Sequence, residues 1–305
     1  MAQIPSILAC LTACVAPAFA GDPPATVTST TAEPAATAKA PTEEQGPNGG
    51  RLHFSFGLDI TNAYFFRGIR QEDEGVLFQP SASLAIDLYK SDAVTLQGNL
   101  GTWNSLHSKA TGASTNDDLV KRWYEEDISA GLTAVCGKFT FGGTYIWETS
   151  PNHAFETVEE LDLSMAYDDS ELLGAYKLSP SVLLGFETGS AKADTFGPAG
   201  AYLQLGVSPG FDVQLDRDTP VSISFPITVG LSLSNYFQDS TGNNDAFGFA
   251  SVGVKAAMPL PVSKDLGKWT LSVAASELFL GNACATFNNN HDTEFVATAS
   301  LGVSY

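Results

Sequence analysis

The sequence has few basic residues. Its 305 residues include 15 Lys and Arg against 34 Asp and Glu, which gives a formal net charge of −19 at pH 7. Because phosphate binding needs clustered Lys and Arg, this balance argues against nucleic acid as a partner. A negatively charged chain can attract cations, and its surface acids also keep it soluble.

Long apolar runs and a cysteine framework are also lacking. After the first 20 residues, no segment has the ~18 consecutive apolar residues that a membrane-spanning helix needs. The four cysteines match neither a metal site nor a disulfide framework. Two of them, Cys136 and Cys284, are predicted to lie at opposite ends of the fold without a bond between them. We expect no helical anchor, no metal site and no cofactor.

The amino-terminal segment predicts export and a flexible connection. Residues 1–20, "MAQIPSILACLTACVAPAFA", are apolar and end in an A-x-A pattern, so we expect a signal peptide cleaved after Ala20, although its start has no Lys or Arg. As an alternative, "LTAC" resembles a lipoprotein box with Cys14 as the lipidated residue. Residues 21–50 are rich in Pro, Ala, Thr and Gly and have too little apolar surface to fold, which predicts a disordered linker.

From residue 51 to residue 305 the dominant pattern has a period of two. In "VSISFPITVGLSLS", residues 221–234, large apolar side chains alternate with Ser, Thr, Gly and Pro, which predicts a strand with one apolar face. Pro226 cannot donate a ladder hydrogen bond and therefore predicts a bulge or a break. About twelve segments share this alternation. They lie near 52–66, 76–89, 93–105, 123–136, 138–149, 157–168, 178–188, 199–210, 220–238, 246–259, 268–280 and 293–305.

The length of these segments favours a membrane barrel over a sandwich. Globular strands usually have about 5–6 residues, whereas a tilted strand needs ~9–11 residues to cross a bilayer. Long connections alternate with short ones, as in outer-membrane barrels. The last segment, "EFVATASLGVSY", alternates up to Tyr305 and resembles the terminal strand that such barrels present to their assembly machinery. We predict an all-β, transmembrane, antiparallel up-and-down barrel of about twelve strands in a Gram-negative outer membrane.

One stretch resembles a known family. "GLDITNAYFFRGIRQEDEGVLFQPSASLAIDLY" is similar to the opening hairpin of the TorF-type porins, whose Thr-x-x-Tyr-x-x-Arg-Gly signature is matched by Thr61, Tyr64, Arg67 and Gly68. The resemblance is good over residues 54–105 and looser to about residue 170. It implies an outer-membrane barrel that takes part in transport, and it names no solute.

Counting in register assigns faces to individual side chains. An aromatic girdle at the membrane interfaces is predicted from outward-facing rings near strand ends; its members are Tyr64, Phe66, Trp103, Trp147 and Tyr305. Inward-facing charges are predicted to line the pore and set its selectivity; they are Asp59, Asp87, Asp127, Glu148, Asp162, Glu187, Arg67, Lys138 and Lys255. Acids outnumber bases in this set, which predicts a mild preference for cations.

Two functions remain open from the sequence. The first is a porin that allows passive passage of small solutes or ions, tuned by Arg67 at the mouth. The second is a plugged barrel without transport that anchors or structures the envelope, with Arg67 and Asp59 in a satisfied network. Loop acids such as Glu72, Asp73 and Asp117 could hold divalent ions that bridge lipopolysaccharide. We expect no enzyme, because His291-Asp292 gives only a nonspecific base and orienting group.

Overall fold

The computed structural model describes residues 50–111, 119–193, 199–215, 219–239 and 241–305. The predicted signal peptide, Cys14, all but the last residue of the linker, and Asp117 lie outside the described residues. Within them, no helix is long and apolar enough to cross a bilayer.

Sixteen strands and a few short helical segments make up the described chain. The strands are β1 Leu52–Thr61, β2 Tyr64–Phe66, β3 Ile69–Glu72, β4 Leu77–Lys90, β5 Val94–His107, β6 Trp123–Cys136, β7 Phe139–Thr149, β8 Val158–Tyr167, β9 Ser181–Glu187, β10 Ala201–Val207, β11 Gly210–Gln214, β12 Pro220–Ser224, β13 Ile227–Ser234, β14 Phe247–Pro259, β15 Lys268–Leu280 and β16 Thr293–Ser304. The helices are α1 Ser170–Leu173 and α2 Asn282–Phe287, with 3-10 turns at Leu119–Arg122, Gly174–Tyr176 and Lys264–Leu266.

All strands except β2 and β3 form one closed antiparallel sheet. Each strand pairs with its neighbour in the chain from β4 to β10, and β1 pairs with both β4 and β16, which joins the first strand to the last. On the other side, β10 pairs with β13 and β14 pairs with β15. The strands β10 and β11 share one position in the ring, as do β12 and β13, so the barrel has 12 strands.

Pro226 divides one of these twelve strands. Strand β12 ends at Ser224 and β13 begins at Ile227, and both pair with β14. The carbonyl of Pro226 accepts a hydrogen bond from the Gly253 amide at 2.9 Å, so the break is local and the ring stays closed. The break expected from the missing proline donor is confirmed.

The outer surface of the barrel is apolar. Phe56 on β1 is 51% exposed and Leu100 on β5 is 57% exposed, and each alternates with small or polar inward neighbours. Comparable exposed side chains recur around the ring; they include Ile60, Phe78, Ile128, Leu132, Val252, Val273 and Phe295. A water-soluble monomer rarely exposes an apolar patch of this extent. The buried side chains lie on the inward faces of the strands, so the core of the molecule lies in the barrel lumen.

The predicted fold class is confirmed, and one boundary is wrong. The first segment was expected to run to residue 66, but β1 ends at Thr61 and the chain turns into the lumen as the hairpin β2–β3. Cys136 and Cys284 are not joined by a disulfide. The described residues form twelve wall strands and an additional inner hairpin.

Candidate functional site

The hairpin β2–β3 turns at Arg67 and Gly68. Both residues have positive φ, 47° for Arg67 and 82° for Gly68. A Cβ atom at Gly68 would lie 2.9 Å from the Cβ of Phe249, so the close approach to β14 and the left-handed backbone both require glycine here. The Asn288 side-chain amide, which follows α2, donates to the Gly68 carbonyl at 2.8 Å and fixes the turn.

Apolar side chains on both faces of the hairpin hold it inside the barrel. On one face, Phe65 and Ile69 pack in a buried cluster with Tyr202, Phe249 and Leu278. On the other face, a second buried cluster contains Tyr64, Phe66, Leu77, Trp103 and Tyr124. These clusters belong to different parts of the wall, so the hairpin spans the lumen between them. Burial of the Tyr-Phe-Phe run accounts for three consecutive aromatic residues in one short strand.

The predicted girdle positions of Tyr64, Phe66 and Trp103 are wrong. All three side chains are buried in the lumen. The outward register of β1 does not continue past Thr61, and Trp103 shares the inward face of β5 with Ser105. The other two predicted members are exposed, Trp147 at 37% and Tyr305 at 57%.

Arg67 pairs with two carboxylates of β8. Its Nη1 donates to Glu160 Oε2 at 2.8 Å, and its Nη2 donates to Glu160 Oε1 and to Asp162 Oδ2, the latter at 3.2 Å. Nη1 also donates to the Tyr236 hydroxyl at 2.8 Å. The guanidinium lies over the Tyr202 ring, 4.2 Å from its centre. All five side chains are buried, so Arg67 is a charged group held by carboxylates and aromatic faces.

Strands β6 to β9 form what we call the acidic wall. Their inward register brings together six buried carboxylates; these are Glu125, Asp127, Glu148, Glu160, Asp162 and Glu187. Arg67 is the only buried Arg or Lys among the described residues. Asp127 and Glu148 are partners in the register of β6 and β7. Both oxygens of Asp127 and Oε1 of Glu148 have no hydrogen-bond partner within the described chain.

The acidic wall includes two residues that sequence reasoning missed. Glu125 and Glu160 were not among the expected pore residues, although each lies two positions before a residue that was. Period-two register would have found them, because Asp127 and Asp162 share their faces. Glu187 accepts hydrogen bonds from the backbone amides of Ala193 and Gly200, both at 2.7 Å.

The remaining predicted charges are spread over other parts of the barrel. Asp59 is hydrogen-bonded to Ser300 and interacts with Lys255, which is partly buried. Asp87 accepts hydrogen bonds from Gln97 at 2.8 Å and from His53 at 3.2 Å.

Lys138 was expected in the lumen, and this expectation is wrong. It lies in the tight turn between β6 and β7, where its Nζ pairs with Glu171 at 2.6 Å. This pairing raises the pKa of Lys138, with the hydrogen bond to the carboxylate as the main cause. The tight turn places its side chain beyond the end of the strands, so it contributes no charge to the acidic wall.

Strands β13 to β16 form what we call the hydroxyl wall. Their buried polar side chains are uncharged alcohols; they are Thr228, Ser232, Ser272, Ser276 and Thr298. The hairpin lies between the two walls, with Arg67 bound to the acidic wall and Gly68 packed against Phe249 of the hydroxyl wall. The lumen is therefore electrically asymmetric.

A serine, a histidine and a glutamate meet at the end of β5. Ser105 Oγ lies 2.9 Å from His107 Nε2, and His107 Nδ1 lies 3.7 Å from Glu72 Oε2. The Ser105 side chain is fully buried, and the His107 ring stacks on Tyr124 with centroids 4.9 Å apart. A nucleophile must reach its substrate, and the buried Ser105 hydroxyl is not placed to do so. The contacts of His107 with Ser105 and Glu72 connect β5 to strand β3 of the hairpin. His291 Nδ1 lies within hydrogen-bonding distance of Glu294 Oε1, at 3.1 Å.

Comparison with solved structures finds outer-membrane barrels of low sequence identity to this chain. No family model and no curated protein matches the chain. An outer-membrane channel from Pseudomonas putida F1 has 13% identity and a TM-score of 0.43, and the match covers 88% of this chain and 100% of that chain. The transport unit of the autotransporter AIDA-I from Escherichia coli has 10% identity and a TM-score of 0.43, and the match covers 88% of this chain and 93% of that chain. The NanC porin has 8% identity and a TM-score of 0.40, and the match covers 83% of this chain and 98% of that chain.

All three TM-scores lie below 0.5, so the closed barrel is defined by the strand pairing of this chain alone. Membership of the TorF-type porins stays a prediction from the residue signature.

Proposed function

We propose that the chain is an outer-membrane channel that allows passive passage of small solutes or ions, with a mild preference for cations. The observation that carries the proposal is the lumen itself, in which six buried carboxylates face a hairpin with one guanidinium. A pore lined by charge of one sign favours ions of the opposite sign. The hairpin narrows the lumen and limits the size of the solute.

Membrane insertion is supported by the outer surface. Exposed Phe, Leu, Ile and Val side chains surround the barrel, and in a bilayer they would contact lipid. Exposed Trp147 and Tyr305 suit the interfaces, where aromatic rings are favourable. A closed barrel leaves no unpaired strand edge in hydrocarbon. We propose contacts with lipid and lipopolysaccharide, recognition of the last strand by the assembly machinery, and export in a Gram-negative cell with cleavage after Ala20.

The functional test is electrical. Refolded protein in a planar bilayer should give discrete conductance steps across a KCl gradient, with a reversal potential on the cation side. Glu148→Gln replaces a buried carboxyl group of the acidic wall whose Oε1 has no partner in the described chain, and we expect the reversal potential to move toward zero.

The matched control makes the same chemical change outside the lumen. Glu159 on β8 is opposite Trp147 in the register and shares its outward face. Glu159→Gln should leave the reversal potential unchanged. A correctly folded, heat-modifiable barrel without conductance would overturn the channel and indicate the plugged alternative. Conductance steps whose reversal potential indicates a preference for anions would overturn only the proposed cation preference and would leave the channel in place.

A further inference from the structure

Strand β11 has one edge without a neighbouring strand. Its residues, Gly210–Gln214, pair with β12 on one side. On the other side, β9 begins at Ser181, which lies opposite Gly206 of β10, so β11 extends past the point where the ring closes. Within the described residues no strand pairs with this second side of β11, which we call the free edge. An unpaired edge is a template for an additional strand.

The register shows which backbone groups belong to the free edge. The Phe225 amide donates to the Pro209 carbonyl at 2.8 Å, so the odd-numbered residues of this strand face β12. Neighbouring residues of a strand direct their backbone groups to opposite sides. The amide and carbonyl groups of the free edge are therefore those of Gly210, Asp212 and Gln214.

The free edge lies in exposed, partly apolar surroundings. Phe211 and Val213 alternate with Asp212 along the strand and are 53% and 37% exposed. The Leu178 carbonyl accepts a hydrogen bond from the Ser208 amide at 2.6 Å, so the segment before β9 reaches the beginning of this edge. A strand added beside β11 would gain main-chain hydrogen bonds and would cover part of the two apolar side chains.

One amino-terminal segment has the composition of such a strand. Residues 25–31, "ATVTSTT", lie outside the described residues and include one Val and four Thr, which are enriched in strands. They contain no charge and no Pro, whereas Pro24 precedes them and Pro34 follows. Because Pro cannot donate to a ladder, these two residues limit a strand to the stretch between them. No other run in residues 21–50 has as many β-branched residues.

The connection to the barrel is long enough to bring this segment to β11. The antiparallel pairing places the start of β1 and the end of β11 at the same end of the barrel. They are five strand positions apart in the ring, which at ~4.8 Å per strand is about 25 Å along the wall. Residues 32–49 can extend to about 60 Å at ~3.3 Å per residue. The segment can therefore reach the free edge.

A second copy of the chain fits the free edge less well. Two β11 strands paired symmetrically about Asp212 would place two carboxylates directly opposite each other, and like charges in that position destabilise a strand pair. Residues 25–31 carry no charge and avoid this repulsion. The amino-terminal segment is therefore the better occupant.

We propose that residues 25–31 add to the free edge of β11 as a further strand and thereby anchor the amino-terminal segment to the rim of the barrel. Main-chain hydrogen bonds to the free edge provide the attachment, and the Val and Thr side chains lie beside Phe211 and Val213. The inference does not depend on conductance, so it goes beyond the proposed channel and stands or fails separately.

The test measures hydrogen exchange of the free-edge amides. Refolded protein that begins at Gly21 is followed by NMR, and we expect slow exchange at these amides. In the double variant Val27→Pro, Thr28→Pro, one of the two lost amides must face β11, because neighbouring residues point to opposite sides. Exchange at the free edge should then become at least tenfold faster. Both substitutions lie outside the barrel, so the barrel itself should fold as in the parent.

A matched variant keeps the result interpretable. The double variant Ala35→Pro, Ala36→Pro makes the same change in the linker outside the proposed strand and should exchange like the parent. The amides of Phe211 and Val213, which face β12, should exchange slowly in every variant and report that β11 is folded.

Three outcomes would overturn the inference. The first is fast exchange at the free edge in the folded parent, and the second is equal exchange in the two double variants. The third is protection that persists in Val27→Pro, Thr28→Pro and rises with protein concentration, which would assign the edge to a second copy of the chain.

Discussion

The two walls of the lumen face the same hairpin and stabilise it by different means. On the acidic wall, Glu160 and Asp162 accept charge-assisted hydrogen bonds from Arg67 and so hold the hairpin. The hydroxyl wall holds the hairpin by contact, with Phe249 against Gly68. A buried ion pair stabilises the hairpin only while both partners are present, because removing one leaves the other charge unpaired. Packing is instead disturbed by a change in side-chain volume. The difference predicts which substitutions each wall tolerates.

The largest effect is expected at Arg67. Arg67→Met would leave Glu160 and Asp162 buried without their counter-charge, so we expect a loss of about 3–5 kcal/mol in the free energy of unfolding. The measurement is guanidinium chloride unfolding followed by the shift of the folded band in gels. The control is Lys109→Met, which breaks an exposed pair with Glu74 of 2.9 Å and should leave the midpoint almost unchanged. Equal midpoints for the two variants would contradict the comparison.

A smaller effect is expected from added volume in the hydroxyl wall. A Cβ atom at Gly230 would overlap the Phe249 ring and lie 2.8 Å from the Tyr202 hydroxyl. Overpacking of this kind costs about 1–3 kcal/mol, so Gly230→Ala should destabilise the barrel and increase hydrogen exchange in residues 64–72. Gly302→Ala on β16 is the control, because the nearest atom to its added carbon is 3.9 Å away. If both variants unfold alike, the packing account of this wall is wrong.

The walls were predictable from the sequence because wall strands obey a period of two. That period assigns Asp127, Glu148, Asp162 and Glu187 to inward faces, and all four side chains are buried on adjacent strands. Glu125 and Glu160 follow the same period and lie on the same inward faces. Local register was enough, since neighbouring strands of an antiparallel sheet align their inward side chains.

The hairpin was not predictable in the same way. Tyr64, Phe65 and Phe66 are consecutive, so a period of two assigns two of them outward, whereas the structure buries all three. In the sequence, a short strand that is buried on both faces resembles a continuation of the wall strand before it. The partners of Arg67 were also hidden, because Glu160 is 93 positions away and the pair forms only when the hairpin enters the lumen.

The smallest effect is expected outside the lumen, in the loop after β13, and it compares two ways of holding a carboxylate. Asp239 Oδ1 accepts hydrogen bonds from the Thr241 hydroxyl at 2.6 Å and from the Asn243 amide at 2.9 Å. These donors, with the Thr241 hydroxyl first, lower the pKa of Asp239 to about 2. Asp127 on the acidic wall has no such donors in the described chain.

A lowered pKa means that the charged form of Asp239 stabilises the folded loop. The stabilisation is complete above the unfolded pKa of about 3.9 and is lost as the pH falls through about 2. An NMR titration of the Thr241 and Asn243 amides should therefore show a midpoint near 2, and Asp239→Asn should abolish the transition. A midpoint near 4 would mean that these hydrogen bonds do not form, and the loop carboxylate would then be no better satisfied than those of the acidic wall.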